Sequence, residues 1–128
     1  MANTIVNNKK ARFDYIIIDE YEAGISLKGW EVKSLRDGKG NIKESYATVK
    51  GSELILIGAH ISPLQNSNVT DESDSTRTRK LLMHRREINK IKSLIKEKGH
   101  TLVPLSMYWK NGHVKLSIGL AKGRKKQD

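Results

Sequence analysis

Residues 101–120 read TLVPLSMYWKNGHVKLSIGL, and their pattern decides what kind of sheet the chain builds. Asn111-Gly112 supplies the positive φ angles of a two-residue hairpin turn, so the segments on either side pair as antiparallel arms. Along the second arm Val114, Leu116, Ile118 and Leu120 alternate with His113, Lys115, Ser117 and Gly119, which makes one face core and the other wet. Pro104 has no N–H to give a ladder, so its strand is an edge or is bulged at that point.

Upstream of this hairpin the β signal continues. Residues 13–27, FDYIIIDEYEAGISL, are rich in β-branched and aromatic side chains, with Gly24 placed where a bend would turn a barrel corner. Residues 45–49 and 54–61 are two more such runs, separated by a 50–53 turn. Helical spacing occurs twice. GWEVKSLR at 29–36 fits two turns ended by Asp37-Gly38, with Val32 and Leu35 expected on the buried side, a short helix near 31–37. HRREINKIKSLIKEK at 84–98 puts Ile88, Ile91, Leu94 and Ile95 on one stripe and stops at Gly99. About six strands with helices outside them predict a mainly β fold, an antiparallel barrel of the oligonucleotide-binding (OB) type, whose closure removes sheet edges.

At 128 residues the chain is expected to form one domain. Residues 1–11 read as a flexible arm, 65–76 as a polar mobile loop, and 121–128 as the start of a basic tail leaving the sheet. Apolar runs are too short for a spanning helix or a signal peptide, and there are no cysteines for disulfides, so a cytoplasmic location is expected. The charge is more telling. Residues 1–76 carry 9 Lys+Arg against 11 Asp+Glu, while 77–128 carry 15 against 3. A field that lopsided attracts polyanions, of which RNA, DNA and an anionic membrane surface are the classes available.

The four histidines are widely separated and none has a carboxylate at metal-ligand spacing; GKGN at 38–41 lacks P-loop spacing; no nucleophile elbow is present. No catalytic residue, metal or cofactor is expected, and the chain reads as a binding protein rather than an enzyme. Basic residues in the second half cluster at 76–80, along the 84–98 helix and at 121–126. Such cations bind phosphates without reading sequence, so selectivity needs flat side chains or hydrogen-bonding groups that dock unstacked bases.

NNKKARFDY at 7–15, YEAGISLKGWEVKSLRDGK at 21–39, TRTRKLLMHRREI at 76–88 and TLVPLSMYWKNGHVKLSIGLAKGRK at 101–125 together resemble the bacterial SmpB family, the tmRNA-binding small proteins B. The likeness runs in order over nearly the whole chain and is weakest at 65–74. It implies a six-stranded OB-type barrel that binds tmRNA, the SsrA RNA, at its tRNA-like domain and brings it to the small subunit and ribosomal RNA of stalled ribosomes for trans-translation. A monomer without membrane or small-molecule partners is expected. The resemblance points to Asn8, Lys9, Lys10 and Glu31 as RNA-binding residues, with Lys33 and Arg36 holding backbone beside Glu31 and Lys115, Lys122, Arg124 and Lys125 adding phosphate contacts.

Glu31 has two readings. A carboxylate early in a helix caps it favourably, and a carboxylate also accepts hydrogen bonds from base amino groups. The capping reading is the commoner by physics; the resemblance favours the base. On the second reading Glu31→Ala weakens RNA binding and leaves the fold intact, with the cations gathered along one flank. Two departures stand out: Asp74-Ser75 where the family has Asp-Pro, and an end at Asp128 where the family continues into a long basic tail, so that a longer natural chain is expected. The alternatives are a generic single-stranded RNA binder and a ribonuclease.

Overall fold

This computed structural model describes residues 3–65 and 72–123. Along them run β1 (Asn3–Asn7), α1 (Lys9–Asp14), β2 (Tyr15–Ile25), α2 (Gly29–Arg36), β3 (Gly40–Asn41), β4 (Tyr46–Lys50), β5 (Glu53–Ile57), β6 (His60–Ile61), a 3₁₀ turn (Glu72–Thr76), β7 (Arg79–Leu82), α3 (Arg85–Lys98), β8 (Thr101–Lys110) and β9 (His113–Gly123). The fold is mainly β.

The 101–120 hairpin is the seam of the sheet. Lys110 pairs with His113 around Asn111 at φ 53° and Gly112 at φ 79°, the left-handed pair that a tight hairpin turn requires. Val114, Leu116, Ile118 and Leu120 are buried. The register of β8 slips between Pro104 and Ser106, so the proline sits beside a bulge inside a paired strand. Pairing runs β8–β4–β5–β7–β2–β9, and β9 returns to β8, closing a ring of six antiparallel strands. Inside it Ala47, Leu54, Leu56, Leu81, Leu102, Met107, Leu116 and Ile118 form the core, which Ile88 and Ile91 of α3 also enter. Burying such side chains contributes roughly 1.5–3 kcal/mol each.

Several elements differ from the sequence reading. The 1–11 segment is not left loose: β1 adds to β8 outside the ring and α1 follows at once. Its polar flanks hid a short edge strand held by its ladder to β8 and by Ile5 and Val6 packing against the core. Ala121, Lys122 and Gly123, expected in the tail, extend β9 and pair with Ile17, Ile16 and Tyr15. The irregularity of β2 lies between Ile17 and Asp19, not at Gly24. Gly24 is instead where β2 changes partners, facing both Lys115 of β9 and Leu82 of β7; a Cβ there would lie 3.4 Å from that of Leu82. Of the 65–76 loop, residues 66–71 lie outside the described residues, while Glu72–Thr76 is an ordered 3₁₀ turn with Ser75 buried. Helix α2 buries Glu31, Ser34 and Leu35, whereas Val32 is half-buried.

Candidate nucleic-acid interface

Helix α2 begins without a conventional capping side chain at Lys28. Glu31 reaches back instead and accepts the Lys28 N–H at 2.7 Å, satisfying an N–H that the helix leaves free. The same carboxylate accepts from Arg77 Nη2 at 2.6 Å and Arg77 Nε at 2.9 Å, and from Arg79 Nε at 2.9 Å. Arg79 is fully buried. Its remaining N–H groups donate to the carbonyls of Ala59 at 2.8 Å and Ser75 at 3.1 Å, tying the β5–β6 connection, the 3₁₀ turn and α2 together.

Burial alone would raise the Glu31 carboxyl; the hydrogen bonds from Arg77 and Lys28 and the charge of Arg79 outweigh it and hold the group below the usual carboxylate range. Burial lowers Arg79, and Glu31 opposes that change. The side chain of Glu31 has no exposed surface and its oxygens are already occupied. A base contact at Glu31 would have to replace two guanidinium groups, one of them in the core.

Asn8 likewise has its polar atoms engaged within the fold. It is buried, its Oδ1 accepts the Ala11 N–H at 3.2 Å to cap α1, and its Nδ2 donates to the Pro104 carbonyl at 2.9 Å. It holds α1 against the bulge in β8. Lys9 and Lys10 beside it are exposed. They line a cleft of about 550 Å³ with Phe13, Asn41 and Lys43, and Phe13 is 78% exposed.

A second group of exposed and half-buried side chains forms on the outer face of β2, β9 and β8. The register aligns Tyr108, Lys115, Gly24 and Leu82 in one row across four strands, with Ser106, Ser117 and Glu22 in the next row. Because strand side chains alternate, residues two apart share the outer face. Tyr108 Oη donates to Glu22 Oε2 at 2.5 Å, and Lys110 Nζ donates to its two oxygens at 3.3 and 3.2 Å. The Tyr108 bond is the main influence holding the Glu22 carboxyl below its usual range; slight burial opposes it, and Lys110 and Lys115 assist. Tyr108 is pushed strongly upward, first by burial and then by its bond to Glu22. Glu22 is thus an anion at neutral pH that stays open to solvent among cations.

Beside these rows is a cleft of about 340 Å³ lined by Gly24, Leu82, Trp109, His113 and Lys115 among others. The Arg36 guanidinium lies 5.5 Å from the centre of the Trp109 ring, close enough for a cation–π contact, and links α2 to this face.

The expected site residues therefore do not form one flank. Lys115 lies on the Glu22 face, while Arg36 meets Trp109, which packs against the core side of β8 at the rim of the adjoining cleft; Lys9 and Lys10 line the Phe13 cleft; Lys33 is exposed on α2; Lys122 is exposed near the far end of β9, about 23 Å along the strand from Lys115. Arg124 and Lys125 lie outside the described residues. Glu22, Lys110 and Leu82, which share this surface with Tyr108, were not among the expected site residues, although hairpin parity places Lys110 on the wet face. Among the described residues no helix is long and apolar enough to cross a membrane.

The SmpB protein family model matches residues 5–128. The SsrA-binding protein of Ruthia magnifica subsp. Calyptogena magnifica is 60% identical over 126 residues, 98% of this chain and 76% of that protein. The SsrA-binding protein of Ralstonia nicotianae is 54% identical over 125 residues, covering 98% and 84% of the two chains. A solved structure described as "tmRNA-SmpB: a journey to the center of the bacterial ribosome" superposes with a TM-score of 0.75 at 43% identity, covering 94% of this chain and 84% of the other.

Proposed function

This chain belongs to the SmpB family, and from that premise we propose that it binds tmRNA at the tRNA-like domain through the outer face of β2, β9 and β8. It delivers that RNA to stalled ribosomes for trans-translation. The ring of six strands, with α3 between β7 and β8, is read as the OB arrangement, a fold whose surfaces commonly receive oligonucleotides. The work is recognition rather than catalysis, and its place is the cytoplasm.

The observation that carries this reading is the ionised, solvent-open Glu22 fixed by Tyr108 and Lys110 within reach of Lys115. Phosphate repels such an acid, so its use on a basic face is to accept from base amino groups, while Lys110 and Lys115 hold backbone. The neighbouring cleft, lined by Trp109, Leu82, Gly24 and Gly112 among others, has room for an unstacked loop base. Lys9, Lys10 and Lys43 form a separate cationic cleft with Phe13 for a further RNA contact.

Filter binding tests it. The tRNA-like domain of tmRNA is expected to bind more tightly than an unstructured RNA of equal length at physiological salt, and Glu22→Gln is expected to weaken it by about 1–3 kcal/mol. Equal affinities would favour a generic single-strand binder; cleavage of labelled tmRNA would favour a ribonuclease.

A further inference from the structure

Tyr108 stands on β8 and Glu22 on β2, with β9 between them, yet their side chains meet through the hydrogen bond from Tyr108 Oη to Glu22 Oε2 at 2.5 Å. The strands that carry them are two spacings apart, roughly 9.6 Å. A side chain standing perpendicular to its sheet would hold the phenol above β8 and out of reach of that acid. Tyr108 therefore lies down across β9. The pairing register leaves room for it. Glu22 faces Ser117 and Ser117 faces Ser106, so the row beside the phenol has only hydroxymethyl groups between the acid and β8. The row of Tyr108 itself runs through Lys115 to Gly24, which has no side chain. Laid in that trough, the ring turns one face to the sheet and the other outward, which agrees with its half-buried state. Glu22 is ionised, so the bond is charge-assisted, and its length is that of the strong class. Lys110 Nζ braces the same carboxylate from β8. At Oε1 its distance is the longer 3.3 Å, which leaves acceptor capacity there.

We propose that Tyr108 is a base-stacking residue: its outward ring face receives an unpaired base of tmRNA, and Glu22 is the latch that keeps the ring flat across β9. This rests on the reading that the β2–β9–β8 face binds the tRNA-like domain, and it adds the residue that supplies the apolar part of that contact. The surroundings of the ring select the ligand. A flat phenol beside Lys115 and Lys110 offers a π-face and cations together, the combination that holds a single-stranded base and its phosphate. A paired base keeps its faces inside the helical stack, so the occupant is an unstacked loop base. With acceptor capacity at Glu22 Oε1 beside the ring, bases that carry an exocyclic amino group are favoured over uracil.

Filter binding of the full chain to the tRNA-like domain tests this with three substitutions. Tyr108→Leu removes the ring, Tyr108→Phe removes only the latch, and Tyr108→Trp restores a flat ring. Tyr108→Leu is expected to weaken binding by roughly tenfold or more, as for one lost base stack. Its log–log salt slope is expected to stay unchanged, because no phosphate contact is lost. Tyr108→Phe keeps the ring but frees it to stand, so its affinity is expected to fall between those of wild type and Tyr108→Leu. Tyr108→Trp is expected to recover part of the loss. In wild-type chain labelled with 3-fluorotyrosine, the fluorine resonance that is missing from Tyr108→Phe is expected to shift when the RNA is added; this readout does not depend on the stability of the leucine variant. Wild-type affinity in Tyr108→Leu overturns the proposal, as does an unshifted fluorine resonance. Equal losses in all three variants overturn it too, by reducing the tyrosine to its hydroxyl, and so does a lowered salt slope in Tyr108→Leu, which would trace the loss to a displaced cation. Lys115→Ala, measured in parallel, separates this failure from that of the parent reading. If Tyr108→Leu is silent, a lowered slope in Lys115→Ala keeps RNA on this face without a stack, whereas an unchanged slope removes the face itself.

Discussion

Glu22 and Glu31 stand nine positions apart in the same sequence block and have opposite fates, because the field around each is built differently. Around Glu31 two guanidinium groups and a helix N–H converge inside the fold; around Glu22 a phenol and an ammonium hold the acid at the surface. Glu31→Ala is expected to destabilise the protein by about 3–5 kcal/mol, since it strands Arg79 as an uncompensated buried charge. A fall in the urea midpoint with an unchanged m-value checks this. The carboxyl of Glu31 titrates lower when folded than when unfolded. Its contribution is therefore full above the unfolded carboxylate pKa of about 4.3 and drains away as pH falls through the depressed folded value. The gap in melting temperature between wild type and Glu31→Gln should accordingly narrow as pH is lowered below that region, and a gap that widens would contradict it. By physics the sequence favours a capping Glu31 and only the family resemblance favours a base reader; what the sequence could not show is that Arg77 and Arg79, 46 and 48 residues away, fold back onto it. Charge pairs of that separation leave no local pattern.

Among the elements, those with a strict period or an obligatory turn residue were readable. The β8–β9 hairpin rests on Asn111-Gly112, and α3 ends at Gly99, whose φ is 69° and whose N–H donates to the Ile95 carbonyl. Elements held by distant partners were not readable. β1 exists because β8 offers it a ladder beyond the ring, and Ala121–Gly123 stay in β9 because Tyr15–Ile17 lie alongside. Asn8 shows how the two kinds join: its carbonyl oxygen caps α1, a local role, while its amide grips the Pro104 carbonyl, 96 positions away. Asn8→Ala should cost about 1–2 kcal/mol from the cap, with faster hydrogen exchange concentrated in α1 and β1. Loss confined to RNA affinity, with stability unaltered, would assign Asn8 to the binding surface instead.

For the molecule as a whole, ring closure converts a one-sided charge distribution along the chain into several basic groups. Strands β8 and β9 and helix α3 all come from the basic second half, yet they present Lys110 and Lys115 on the sheet and Arg85, Lys92 and Lys96 on the helix, while first-half residues Lys9, Lys10 and Lys43 supply a third group. A folded RNA touching only the β2–β9–β8 face should feel Lys115 but not the helix. Each phosphate contact removed lowers the log–log salt slope by about one. Lys115→Ala is thus expected to reduce the slope for the tRNA-like domain by about one unit, and Lys122→Ala by a similar amount only if the RNA runs the roughly 23 Å of β9 and wraps around its far end, because Lys122 has the parity of Leu116, Ile118 and Leu120 rather than that of Lys115. Titrations from low to moderate salt with both single variants and the double variant distinguish the cases. Additive loss in the double variant means that one RNA spans the strand; loss from Lys115 alone confines it to the Glu22 and Trp109 end. No loss from either moves the primary interface off this face, toward the cleft where Lys9, Lys10 and Phe13 meet.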